Sequence, residues 1–296
     1  MKSINLFSYN SRDFIKDIAK SGTKSDIEIY HRKDDDIFTI IEPLRYPDKI
    51  SSLTDSIYPS QAAIINGNTI DKNLGEVLVA LQLMGKKRLF IISNDENNQK
   101  ISNILKSTDF DYTLFNGRPM ELLNELRKLS YNSGDKTYVL IDHFFKVRGV
   151  GTVALGFVLS GKIEKHQKLT ISDIDREVEI RSIQMNDIDQ DSAGPGSRVG
   201  LALKNIEPDE MSRGMILSDE PFQYKEDLSG DIIYHDAVKS RLSENSEVFV
   251  CTMMRYQRGL FKNNKIMLEK RIPVIEGSVA ISNNNFFPRV FAKINF

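Results

Sequence analysis

Between residues 137 and 217 the chain runs through short β-type segments broken by glycine at close intervals, and this punctuation constrains its fold more than any other stretch. Residues 138–141 and 152–159 flank the turn-forming Arg148-Gly149-Val150-Gly151. Residues 168–171 follow a turn at Ser160-Gly161, and residues 199–203 and 215–217 add two more apolar runs, each with a Gly shortly before it. Strands this short, separated this way, predict a small closed antiparallel barrel. Gly149, Gly151, Gly156 and Gly214 read as structural, because glycine supplies positive φ or lets two strands approach closely.

The 136 residues ahead of this stretch follow a different rhythm. Strand candidates at 4–7, 27–30, 37–41, 62–65, 89–92 and 112–115 alternate with helix candidates at 13–20, 48–56 and 71–84, one through Ile101, Ile104 and Leu105, and one starting at Pro119. Leu74, Val77, Leu78 and Leu81 share one helical face, with Gly85 placed to end that helix. Such alternation predicts a mostly parallel sheet covered on both faces.

Beyond residue 218, β-type runs at 232–235, 248–252, 265–268, 277–281 and 289–294 predict a second antiparallel barrel. The expected fold class is therefore α/β plus all-β, divided at 1–136, 137–218 and 219–296.

The order F-K-V-R-G-V-G-T-V-x-L-G-x-V-x-S-G-x-I, followed by G-S-R-V-G-L-A-L-K-N-I and S-R-G-M-I-L, resembles the second domain of translation elongation factors of the Tu type, nearest the selenocysteine-specific branch. The match covers roughly eighty residues and ends in the family's Arg-Gly turn at Arg213-Gly214. Gly22-Thr23-Lys24-Ser25-Asp26 also resembles that branch, with the switch region that normally follows the phosphate loop shortened into it. The resemblance implies a P-loop-GTPase-like first domain, and a final barrel of the family's third-domain type.

Family members carry G-x-x-x-x-G-K-[ST], whose amides and Lys hold phosphates. The corresponding turn here is Ser8-Tyr9-Asn10-Ser11-Arg12-Asp13-Phe14, with neither Gly nor Lys. D-x-P-G falls at Ile41-Glu42-Pro43-Leu44, where only Pro43 matches, and N-K-x-D falls at Asn94-Asp95-Glu96-Asn97, where only Asn94 matches. Magnesium, γ-phosphate and guanine would each lose the groups that recognise them. The first domain is thus expected to be a degenerate, non-catalytic GTPase fold with no catalytic residue and no cofactor. An alternative keeps GTP and magnesium through altered loops using Arg12, Lys16 and Asn94.

The resemblance further implies RNA contacts. Lys146, Arg148 and Gly149, at the barrel's first turn, and Gln184 fall where the family receives the aminoacyl end of tRNA. In the last domain, eight Lys or Arg against three Glu between residues 239 and 271, interleaved with Phe249, Tyr256 and Phe261, suit RNA backbone and exposed bases. Arg255, Arg258, Lys262 and Lys265 are the candidates there, with a basic barrel surface as the competing reading. The expected partners are tRNA or another RNA, the ribosome or translation factors, with no DNA and no membrane. A purely protein-binding role beside an active paralogue is a further alternative.

Composition narrows the remaining classes. A net charge of −1 excludes a uniformly basic nucleic-acid-coating protein, so partners must be argued from patches. The single cysteine, Cys251, lies in an apolar run and reads as a buried structural thiol in a reducing compartment. No run approaches the ~20 apolar residues of a membrane span, and the N-terminus lacks a secretory signal pattern, so a cytoplasmic location is expected. His143 and His166 have no companions at metal-ligand spacing. Seven carboxylates between residues 173 and 191 read as a solvated face in hairpin turns, as does the loop Asp34-Asp35-Asp36.

Overall fold

The computed structural model describes residues 2–33, 36–129 and 134–296. Asp34 and Asp35 of the acidic loop, and Asn132 and Ser133 of the linker expected at 132–136, lie outside the described residues.

The first domain comprises β1 (Ser3–Tyr9), α1 (Arg12–Lys16), β2 (Lys20–Lys24), β3 (Ile27–Lys33), β4 (Ile37–Pro43), α2 (Ile50–Ile57), β5 (Ala62–Asn66), α3 (Lys72–Leu83), β6 (Arg88–Ile92), α4 (Asp95–Leu105), β7 (Asp111–Phe115) and α5 (Pro119–Leu126). They build one sheet in the order β2-β3-β4-β1-β5-β6-β7. Strands β4, β1, β5, β6 and β7 run parallel, while β3 and β2 return antiparallel at one edge. All seven residues of β4 are buried, as a strand covered on both faces requires. Asp71 caps α3 by accepting from the Leu74 amide at 2.8 Å, and Gly85 at φ +72 ends it.

One expectation is corrected by this domain. A helix over 13–20 shrinks to the five residues of α1, because Lys20 already pairs with His31 as β2 joins the sheet edge. The Arg32 guanidinium donates to the Ile18 carbonyl at 2.9 Å, fixing the chain where that helix would have continued. Helix α2 is buried at all eight positions, including Ser51, Ser52, Thr54, Asp55 and Ser56.

The second domain contains β8 (Tyr138–Val147), β9 (Gly151–Ser160), β10 (Ile163–Glu164), β11 (Lys168–Ile171), β12 (Arg176–Met185), β13 (Ile188–Gln190), β14 (Ser192–Ala193), β15 (Arg198–Lys204) and β16 (Ile216–Ser218). The order β11-β16-β8-β9-β15-β12, with β12 pairing back onto β11, closes the barrel. Gly156 sits where a Cβ would lie 2.4 Å from the Leu140 carbonyl oxygen, so β8 and β9 can meet there only without a side chain. The acidic run is not merely turns, because β12 passes through it. Val178, Ile180, Ile183 and Met185 of that strand point into the core while the charged residues alternate outward.

The third domain holds β17 (Tyr224–Ser229), β18 (Ile232–Tyr234), β19 (Glu247–Thr252), β20 (Arg255–Lys262), β21 (Lys265–Pro273), β22 (Ser278–Ser282) and β23 (Val290–Asn295), in the order β17-β21-β20-β19-β22-β23-β18. It packs on the first domain through α2 and α3, where Ile50, Leu53 and Ile57 share a core with Cys251, Ala280 and Val290. Among that apolar contact Glu76 of α3 is fully buried. It takes Arg289 Nη2 at 2.5 Å and the Tyr46 hydroxyl at 3.0 Å, so its charge is both paired and hydrogen-bonded.

Candidate nucleic-acid interface

The turn after β1 begins at buried Ser8 and passes through Asn10 at φ +54 to buried Ser11. Glu42, near the end of β4, lies against this turn and is 5% exposed. Burial pushes its carboxyl up from the usual range, opposed by the Ser8 side chain, the Arg12 charge and the Asn10 and Ser11 amides. Its Oε2 has no hydrogen-bond partner. Next door, Tyr9 is pushed up to about 12 by burial, then by Asp71, Glu42 and Glu76. Arg12 Nε lies 3.7 Å from Glu28, and Lys16 Nζ is 3.3 Å from Asp13. The surroundings of the turn are thus carboxylate-rich, and both nearby cations face carboxylates of the chain itself.

Asn94 serves the backbone. It caps α4 by accepting from the Asn97 amide at 3.1 Å, while its own amide donates to Asn68 Oδ1 at 2.9 Å. The Asn97 side chain donates to the Asn68 carbonyl at 3.0 Å, tying the two loops together.

A cleft of about 1190 Å3 lies between the first domain and the first barrel. Lys20, Ser21, Thr23, His31 and Arg32 line one wall, and Phe145, Val150, Gln184, Arg198 and Gly200 line the other. Phe145 and Val150 are 41% and 38% exposed, unusual for side chains of their size. Arg198 is only 8% exposed. It pairs with buried Asp142 and lies over the Phe157 ring at 4.4 Å. Arg198 Nη2, Asp142 Oδ2 and His31 Nδ1 are all buried without hydrogen-bond partners. Burial, followed by the Arg198 charge, lowers the His31 imidazole to about 4, leaving it neutral at pH 7.

The candidate RNA residues fall into three places. Lys146, Arg148 and Gly149 occupy the turn of the β8–β9 hairpin, where Lys146 Nζ contacts Glu207 at 2.7 Å, Arg148 is exposed, and Gly149 has φ +81. Gln184 projects from β12 into the cleft, its Nε2 donating to Asp189 at 2.8 Å. On the third domain, Lys262 and Lys265 pair across the β20–β21 turn, with Lys265 3.7 Å from Asp227. Arg258 pairs with Glu247 at 2.5 Å on the exposed face. Arg255, by contrast, lies between the barrels, its guanidinium on Asp173 of the first barrel and its side chain 15% exposed.

The model of elongation factor Tu domain 2 matches residues 151–218. An uncharacterized protein of Methanocaldococcus jannaschii is 33% identical over 234 residues, covering 77% of this chain and 76% of its own. The selenocysteine-specific elongation factor of the same organism is 38% identical over 136 residues. The chain is Tu-like, and similar to the selenocysteine-specific branch.

The Tu-like chain spans 29% of that elongation factor, which in turn matches 45% of this chain. In fold it is similar to a bacterial selenocysteine-specific elongation factor, EF-Sec, with a TM-score of 0.81 over 100% of this chain and 58% of the other. The SelB factor of Methanococcus maripaludis, solved with the GTP analogue GppNHp, gives 0.80 over 100% and 78%. Identity is 17% in both cases, so the likeness concerns architecture. Among the described residues no group of three or more His, Cys, Asp or Glu is placed to hold a metal ion, and no helix is long and apolar enough to cross a membrane.

Of the cleft wall, sequence reasoning missed Lys20, His31, Arg32, Phe145, Val150 and Arg198. Gly-Ser-Arg-Val-Gly reads as a barrel strand, and nothing in it announces that Arg198 is held inside the barrel by Asp142 and Phe157.

Proposed function

We propose that this Tu-like protein binds RNA without using guanine nucleotide, receiving an RNA end, with tRNA the leading candidate, in the cleft between its first domain and first barrel. The observation that carries the reading is the cleft's pairing of exposed cations with exposed apolar side chains: Lys20 and Lys33 beside Phe145 and Val150. Cations track phosphates and aromatic faces stack on unpaired bases. Gln184 adds a side-chain amide able to donate and accept at the same wall.

Nucleotide independence is supported by the turn after β1. A triphosphate brings several negative charges, and this turn is lined by Glu42, with Asp71 and Glu76 close to Tyr9. The five residues of α1 supply little helix dipole to offset them. A role in translation follows from the family, and the first domain then acts as a scaffold for the cleft rather than a timer.

The test is calorimetry of the purified chain with GTP and GDP in the presence of magnesium. The reading expects no saturable heat. Micromolar, magnesium-dependent binding would refute nucleotide independence.

A further inference from the structure

The turn carrying Arg213 and Gly214 is where all three domains meet. Arg213 Nη1 donates to Asp26 Oδ1 at 2.8 Å, and Nη2 lies 3.2 Å from Asp55 Oδ2. Gly214, at φ +88, packs so closely on the third domain that a Cβ would lie 2.4 Å from the Met253 carbonyl oxygen. Asp26 forms the turn between β2 and β3, and the Ser52 hydroxyl of α2 donates to its carbonyl at 2.7 Å. The hairpin bearing Lys20, Ser21 and Thr23 of the cleft wall is therefore anchored to α2, and Arg213 joins that unit to the barrel wall opposite.

We propose that Asp26, Asp55 and Arg213 form a proton-responsive latch, which sets how firmly the first barrel closes on the first domain and hence how open the cleft is. Asp55 is 5% exposed, and its Oδ1 and Arg213 Nε have no hydrogen-bond partners. One partly exposed guanidinium thus faces two carboxylates, of which Asp55 is the buried one. Asp26 has a second cation, Lys49 Nζ at 3.2 Å, and stays ionised, its carboxyl held near 2 against its burial by Arg213 and Lys49. Lys49 acts on Asp55 from farther off, and burial, followed by the Asp26 charge, lifts Asp55 to about 7 despite Arg213 and Lys49.

The other titratable groups facing the cluster are Cys251 of β19, whose thiol burial and Asp55 push up, and Asp142, which acts on Arg213. His31 lies on the cleft wall beyond them. Opening would return Asp55 to water and to an ordinary carboxylate pKa. The closed form therefore holds the extra proton between the ordinary carboxylate range and about 7. Closure contributed by Asp55 is full below that range, weakens as pH rises through it, and is gone above about 7.

The latch can be measured without RNA on the full chain, so its failure leaves the proposed RNA site standing; only its effect on binding rests on that proposal. Spin labels at Lys24→Cys and Ile188→Cys report the cleft width, since buried Cys251 does not compete for label. The ratio of the opening constants of the labelled protein with and without Asp55→Asn is expected to change about tenfold per pH unit between pH 5 and 6.5, and to level off above about 7. Taking the ratio cancels any contribution from His31. A ratio independent of pH overturns the latch. Should Asp55→Asn fail to fold, the carboxyl carbon signal of Asp55 in the unsubstituted protein decides the matter. A midpoint near 7 supports the proposal, and an ordinary midpoint near 4 sinks it.

Discussion

Residue by residue, chemistry is decided by what each side chain faces. Gly156 looks in sequence like any other barrel glycine, yet its missing Cβ is what lets β9 lie against the Leu140 carbonyl. Gly156→Ala is expected to destabilise the protein by about 1–3 kcal/mol, read as a lower urea midpoint with an unchanged slope. Arg255 illustrates the reverse case. Its place in a basic, aromatic-rich stretch suggests an RNA contact, whereas the fold turns it onto Asp173. Arg255→Ala should therefore lower stability by about 1–3 kcal/mol through the lost charge-assisted bonds, while tRNA affinity measured at a temperature well below unfolding stays unchanged.

At the scale of elements, the β8–β9 and β20–β21 turns present two exposed cations, Arg148 and Lys262. Arg148→Glu and Lys262→Glu should each weaken tRNA binding similarly across sequences. Each should also reduce the slope of log affinity against log salt by about one. Unchanged slopes in both would move the interface elsewhere.

Elements were legible in the sequence where periodicity and glycine spacing spoke together, as in α3 with its apolar stripe and Gly85, and in β8, β9 and β15. Strand β12 was obscured because its outward residues are charged, so the alternation of Val178, Ile180 and Ile183 was submerged in an acidic run. Helix α1 was overdrawn because nothing in residues 17–20 announces that Lys20 must pair with His31. Of the cleft, Gln184 could be nominated from family position, while Lys146 and Arg148 lie on the neighbouring hairpin turn. His31 and Arg198 could not, since the strand pattern does not show which residues of two separate domains share one cleft.

For the whole molecule, the three domains are joined by polar contacts within apolar seams. Glu76, Arg289 and Tyr46 fasten α3 to the last domain, with Glu76 fully buried. Arg289→Met should cost about 3–5 kcal/mol because it leaves that carboxylate buried and uncompensated, whereas the double variant Arg289→Met/Glu76→Leu should recover most of the loss. Chemical denaturation of the four proteins in the cycle reads both quantities. A double variant as unstable as the single one would show that the seam needs shape rather than charge pairing.

The cleft walls themselves are joined by Arg213 on Asp26 and Asp55, and the proposed RNA site needs no nucleotide between them. Titrating tRNA into the full chain with and without GTP and magnesium, across a range of salt, puts that claim to its most direct test. The expected result is one salt-dependent affinity, the same in both conditions. An affinity that appears or strengthens only when GTP is present would contradict it.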